Sequence, residues 1–256
     1  MNATLCPVGT FIMAVFAIGA ALLIMGQLFA PQMLNYRSLW RAYAQEFIVV
    51  GALVVPLIIG GWVFYVALAL FAARAFIELY DLFNKQIFFP RLLQTLIIFL
   101  PFVGFGLSVI GVLHYDFGWA LILFVYVVVE LNDAAAYMAG KFFGKRHIFP
   151  KLSPGKTLEG LCTGIIAGIV GGVTYAVFVL REGLSLELVI VSFAVLAGGL
   201  GGDMLTSYVK RRRGAKDFKV VLPGQGGVLD IFDAFLGGAL ALGLALAVPS
   251  LKAVFG

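Results

Sequence analysis

From Phe47 to Ala73 the chain carries no charged side chain. Comparable apolar runs recur at 9–30, 92–112, 118–139, 158–180, 188–206 and 228–249. Each is close to the length of about 20 residues that a helix needs to cross a hydrocarbon core of roughly 30 Å. Within lipid, every backbone polar group must be satisfied internally, which leaves only helices and closed barrels. The alternating ten-residue pattern of a membrane barrel is absent, so the runs read as helices. With 62% hydrophobic and 12% charged residues, the chain has too little polar surface to cover a soluble domain. The expected fold class is all-α: a polytopic integral-membrane helical bundle of about eight transmembrane helices.

Residues 9–30 form the first span, and no basic stretch or small-residue cleavage site marks them as a signal peptide. Between Pro31 and Glu46, Arg37 and Arg41 alternate with Tyr36, Trp40 and Tyr43, a composition suited to an interfacial helix. Pro56 and Gly60-Gly61 mark a turn between spans at 45–59 and 62–80, with one long tilted helix as the rival reading. Lys85 and Arg91 bracket one loop, and His114-Tyr115-Asp116 turn the chain between the next two spans. The expected division is 1–46 for an extra N-terminal span and interfacial segment, 47–117 for the middle helices, and 118–256 for a C-terminal membrane region, to which the resemblance given below assigns catalysis. In this layout all but Arg181 and Lys252 of the 18 basic residues fall on one side, which the positive-inside rule makes cytoplasmic. Both termini then lie on the non-cytoplasmic side. Cys6 and Cys162 sit at or within apolar segments and read as unpaired thiols. No nucleic-acid motif is present, and the basic loops beside spans suit anionic lipid or phosphate. Gly164, Gly168 and Gly172 form a small-residue ridge able to pack within the chain or against a second copy.

Charge concentrates between Gly202 and Asp233. A charge near the bilayer centre costs on the order of 2.5–3.5 kcal/mol, so intramembrane acids need a partner or a water-filled cavity. Glu130, Asp133, Glu159, Asp203, Asp230 and Asp233 all fall at the cytoplasmic ends of their spans, at one depth. Asp203, Ser207 and Lys210 share a helical face, with Arg211 beside them; Asp230 and Asp233 share another, and Asp133, Tyr137 and Gly140 a third. Carboxylates so grouped suit Mg²⁺, which binds through a few carboxylates plus substrate phosphates. Between them, Pro223-Gly224-Gln225-Gly226-Gly227 is a turn able to aim backbone N–H groups at phosphate oxygens where the last helix starts. Plainer readings stand beside these. Arg211-Arg212-Arg213 serves equally as a topology determinant, Asp230 and Asp233 as partners of Lys216 or Lys219, and Thr157 with Glu159 as an ordinary helix start.

Taken together, these residues resemble the phosphatidate cytidylyltransferase family, whose signature joins a Ser, a Lys-Arg pair, a Lys-Asp pair, a Pro-Gly-His-Gly-Gly turn and an Asp-Arg-x-Asp ending. Here the matching positions are Ser207, Lys210-Arg211, Lys216-Asp217, Pro223 to Gly227, and Asp230 to Asp233. Further matches are Asn132-Asp133 with Ala136-Tyr137 and Gly140 to Lys145, Ser153 to Thr157 with Glu159-Gly160, and Gly202-Asp203. This similarity covers about residues 45–245 and leaves the first span outside. It implies that phosphatidate attacks the α-phosphorus of CTP, giving CDP-diacylglycerol and pyrophosphate at the cytoplasmic face of a bacterial-type inner membrane. It further implies Mg²⁺, with or without a second cation, on Asp203, Asp230 and Asp233, and catalytic roles for these three and Lys210. Substrate contacts are implied for Asn132, Asp133, Ser153, Lys156, Thr157, Ser207, Arg211, Lys216, Asp217, Gly224, Gln225, Gly226 and Gly227. A homodimer is a further family-level expectation.

Gln225 replaces the family's His and cannot titrate; Ile231 replaces its Arg and removes a fixed cation between two carboxylates. These departures keep two alternatives in view, an ether-lipid or isoprenoid phosphate as acceptor and a weakly active paralogue; the buried carboxylates keep a third, a cation transporter.

Overall fold

A computed structural model describes residues 2–29, 32, 35–83, 88–112 and 118–255. Its long helices are α1 (Asn2–Phe29), α2 (Tyr36–Ile59), α3 (Gly61–Leu82), α4 (Phe88–Val112), α5 (Gly118–Phe143), α6 (Leu158–Tyr175), α7 (Leu186–Arg212) and α8 (Val228–Leu246). A two-stranded hairpin, β1 (His147–Phe149) and β2 (Ser153–Thr157), precedes α6, and a short helix α9 (Pro249–Lys252) follows α8. Among the described residues, seven helices are long and apolar enough to cross a membrane. The chain is an integral-membrane helical bundle, and α4 coincides in position with the apolar run at 92–112. Lys85 and the His114-Tyr115-Asp116 turn lie outside the described residues, as do the side chains of Cys6 and Arg91.

One boundary differs from expectation and another agrees with it. The segment read as a separate interfacial helix is the first half of α2, which runs unbroken from Tyr36 to Ile59, so the division placed at residue 46 falls inside a helix. Its start is set by Asn35, whose side chain accepts the Ser38 N–H at 3.2 Å. Interfacial aromatic residues have no reason to interrupt a helix, and here they hold α1: Trp40 donates to Gln27 at 3.1 Å, and Tyr43 to the Phe16 carbonyl. At the other end, Gly60 and Gly61 take φ of 66° and 53°, a region other residues seldom enter, and α2 and α3 are separate helices.

α5 is the centre of the bundle, its stretch from Ala120 to Val129 buried on every side. The Gly164, Gly168 and Gly172 ridge of α6 lies against it. A Cβ at Gly164 would sit 2.7 Å from the Asn132 carbonyl, and one at Gly168 2.9 Å from that of Val128. The ridge is therefore spent inside the chain and offers no face to a second copy. α6 ends in a π-helical turn, Ala176–Leu180, after which Arg181 takes φ of 64° and the chain reverses into α7. α7 and α8 form the second tight pair, so the bundle core is built from two glycine-packed couples, α5 with α6 and α7 with α8.

Candidate active site

The seam between α7 and α8 sets the site. A Cβ at Gly198 would lie 2.5 Å from the Gly237 carbonyl oxygen, and one at Gly202 would overlap the Asp233 carbonyl. Backbone meets backbone there, which puts Asp203 of α7 and Asp233 of α8 on the two flanks of one contact. The Thr206 hydroxyl joins them, 2.6 Å from Asp233 Oδ2 and 3.0 Å from the Asp203 carbonyl oxygen. Ser207 donates to Asp203 Oδ1 at 3.2 Å, the i, i+4 contact that its spacing implies.

Asp203 opens into a cleft of about 500 Å³ between α5, α6 and α7. One end is polar, formed by Asn132, Asp133, Tyr137, Lys156 and Asp203; the rest is apolar, with Leu161, Ile165, Phe193 and Leu200. Lys156 Nζ stands 2.5 Å from Asp203 Oδ2, and its charge also acts on Asp133, which accepts from Asn132 Nδ2 at 2.8 Å. The β1–β2 hairpin carries Lys156 there. Glu159 closes its base by accepting the N–H groups of Lys145 and Arg146 at 3.0 and 3.2 Å. Thr157 lines the cleft, but its Oγ1 accepts the Gly160 N–H at 3.2 Å as the N-cap of α6, so the plain helix-start reading of this motif holds as well. Ser153 begins β2 opposite Phe149. On the far side of the seam, Asp233 and Thr206 reach a second, apolar groove of about 270 Å³ with Leu236 and Leu240.

The other expected carboxylate is placed differently. Asp230 Oδ1 is 2.5 Å from Lys210 Nζ, and Oδ2 accepts from the N–H groups of Phe218 and Gly227 at 2.7 and 2.9 Å. The Phe218 ring lies 5.2 Å from the Lys210 ammonium. Lys210 thus leaves the Asp203–Ser207 stripe to neutralise Asp230, and among the described residues no group of three metal-ligating side chains assembles. Neither Asp230 nor Asp233 pairs with Lys216 or Lys219: Lys216 and Asp217 are exposed on the loop, and Lys219 is 3.8 Å from Asp81. Arg211 reaches the Leu152 and Ala215 carbonyls at 3.3 and 2.9 Å, tying the hairpin to the α7–α8 loop.

The glycine-rich turn also departs from expectation. Gly224 and Gly226 take φ of 91° and 92°, and the turn closes on itself, the Gln225 and Gly226 N–H groups donating to the Leu222 carbonyl at 3.1 and 3.3 Å. Beyond it, Gly227 donates to Asp230, while Val228 and Leu229 both donate to Glu78 at 2.9 Å. The amides from Gln225 to Leu229 are occupied by the chain's own acceptors, the Leu222 carbonyl and the carboxylates of Asp230 and Glu78. Gln225 Oε1 is buried with no partner among the described residues. Glu78, paired with Arg74 at 3.1 Å, escaped the sequence reading, as did Gln45, which donates to the Pro223 carbonyl at 3.1 Å, and Glu46, which accepts from Tyr126. A signal for the first pair existed: opposite charges at i, i+4 within an apolar span are costly unless they meet a partner.

The fold and site define an α-helical membrane protein with two Asp side chains on a glycine seam and a Lys at the polar end of a largely apolar cleft. Residues 2–248 match the family described as the cytidylyltransferase family, and the chain belongs to it. The matched range takes in α1, which the motif resemblance had left outside. The chain is 31% identical to phosphatidate cytidylyltransferase of Staphylococcus epidermidis over 230 residues, covering 89% of this chain and 87% of that protein. It is 39% identical to phosphatidate cytidylyltransferase of Helicobacter pylori over 145 residues, 56% of this chain and 54% of that one. For phosphatidate cytidylyltransferase of Staphylococcus aureus the identity is 29% over 230 residues.

Proposed function

We propose that this protein transfers the cytidylyl group of CTP to phosphatidate, releasing pyrophosphate and leaving CDP-diacylglycerol in the membrane. The observation that carries this reading is the cleft itself, where Asn132, Asp133, Lys156 and Asp203 form a polar end to a cavity otherwise walled by apolar side chains. A lipid phosphate has that division, and family membership favours nucleotidyl transfer over cation transport. A phosphate oxygen of the lipid forms a bond to the α-phosphorus of CTP while the bond from that phosphorus to the bridging oxygen of the β-phosphate breaks. Pyrophosphate departs with the electron pair. No covalent enzyme intermediate is required; positioning and charge neutralisation carry such transfers.

Lys156 is the cation placed to meet phosphate oxygens, since its ammonium already stands at the polar end of the cleft. Asp203 opens to the cleft and would supply an oxygen donor to Mg²⁺, which commonly takes one or two protein carboxylates and completes its shell with water and phosphate; Asp233 faces the groove on the other flank of the seam and would join that set only with a shift of the α8 turn. Asp230 is not needed in that set, being occupied by Lys210 and two amides. When bound, Mg²⁺ would offset charge on the phosphates and orient them. The positive-inside count supports a cytoplasmic placement of the Lys156 end of the cleft, where CTP is available, with the termini opposite.

The test is turnover of CTP and phosphatidate by purified protein in lipid nanodiscs. CDP-diacylglycerol and pyrophosphate in equal amounts are expected with Mg²⁺ present, and a loss on the order of 10²–10³-fold in Asp233→Asn. No turnover and no CTP binding with Mg²⁺ present would sink the proposal. Because Gln225 and Ile231 depart from the family's His and Arg, a panel of ether-lipid and isoprenoid phosphates belongs in the same assay. Preference for one of these would replace phosphatidate as the acceptor.

A further inference from the structure

We propose that Glu78 of α3 is a positioning residue for the reaction: its carboxylate fixes the first turn of α8 and thereby the placement of Asp233 beside the seam. The proposal rests on the cytidylyl-transfer reading for its catalytic part, though not for its structural part. Helix α8 starts at Gly227, which has no side chain with which to cap it. Its first two N–H groups, of Val228 and Leu229, donate instead to the two oxygens of Glu78, each at 2.9 Å, from a helix 150 residues earlier in the chain. The carboxylate is only 1% exposed, an environment a charge does not enter without full compensation. Compensation comes from those amides, from the positive end of the α8 dipole, and from Arg74 Nε at 3.1 Å.

The surroundings are shaped for this contact. A Cβ at Gly227 would lie 2.6 Å from Glu78 Oε2, so only glycine lets the carboxylate approach. Arg74 also donates to the Lys219 carbonyl at 3.1 Å, and Gln45 of α2 to that of Pro223, so two helices remote in sequence hold the loop that feeds α8. The seam fixes α8 from Asp233 onward, with Gly202 against the Asp233 carbonyl and Gly198 against that of Gly237. Glu78 fixes it ahead of Asp233. Asp233 sits at the N-terminal edge of the seam, and with Glu78 released, the helical turn ahead of it can rotate or fray.

The experiment uses the full chain in nanodiscs, wild type against Glu78→Gln and Glu78→Ala, with two readouts. Hydrogen exchange without substrates is expected to rise roughly tenfold or more across 226–233 in both variants while α7 peptides keep their protection. Steady-state turnover is expected to fall by a comparable factor in kcat, with KM for CTP within about twofold, because the lost element is placement rather than binding. Glu78→Gln keeps shape and one acceptor, so it guards against simple misfolding of the alanine variant. Unchanged exchange across 226–233 in both variants would overturn the proposal, and so would a uniform rise over all helices. A wild type without turnover would defeat the cytidylyl-transfer reading alone, since the exchange readout still decides whether Glu78 holds α8.

Discussion

Among the described residues, two of the lysine–aspartate pairs have equal length and opposite character. Lys156 and Asp203 meet at 2.5 Å with 29% and 25% of their side chains exposed; Lys210 and Asp230 meet at 2.5 Å with 8% and 7%. The first closes the polar end of the cleft. The second is sealed beneath Phe218, its carboxylate held by two further amides. An ion pair open to water exchanges partners at little cost, because solvent compensates either charge while they separate. A sealed pair cannot, since each partner would be left in a medium of low dielectric. The same two residue types therefore form an exchangeable pair in one place and hold loop architecture in the other.

This contrast is easiest to break at Lys210. Lys210→Ala strands a buried carboxylate and is expected to lower stability by about 3–5 kcal/mol in denaturant unfolding of the detergent-solubilised protein. Lys210→Met with Asp230→Asn should recover much of that, since Asn still accepts from the Phe218 and Gly227 amides. Equal stability of Lys210→Ala and wild type would erase the distinction between the pairs. At the open pair, Lys156→Ala is expected to lose roughly 10²-fold in kcat/KM for CTP while stability stays within about 1 kcal/mol. A large stability loss there would show that the pair is structural after all. Between the pairs, Gly202→Ala drives a methyl into the Asp233 carbonyl and should cost about 1–3 kcal/mol, read in the same unfolding experiment. The smallest effect is expected at Gln225, whose buried oxygen has no partner among the described residues: Gln225→Met should alter stability by no more than about 0.5 kcal/mol.

Helical periodicity made some of this site legible beforehand. The Asp203–Ser207 contact and the shared wall of Asp133 and Tyr137 follow from spacing along single helices, and spacing is visible in a sequence. Apolar run length likewise located the helices. Contacts between distant elements were not visible. Lys210 lies on the Asp203 stripe by periodicity, yet a long flexible side chain takes the nearest carboxylate, and that belongs to α8. The glycine-rich turn looked like a phosphate cradle because nothing local showed that Glu78 and Asp230 would reach its amides first. The helix start at Tyr36 was hidden for another reason: aromatic and basic residues mark an interface by composition but exert no force that ends a helix.

The backbone contact between α7 and α8 has one more consequence. Helices that touch through Gly198, Gly202 and Gly237 leave no side-chain layer between them through which their spacing could be adjusted. The α7–α8 pair thus behaves as a fixed gauge, and substitutions that alter which lipid is accepted have to fall elsewhere. Leu161, Ile165, Phe193 and Leu200 line the cleft without entering that contact. Lineages that diverge in acceptor are expected to differ at those four positions while the gauge stays constant.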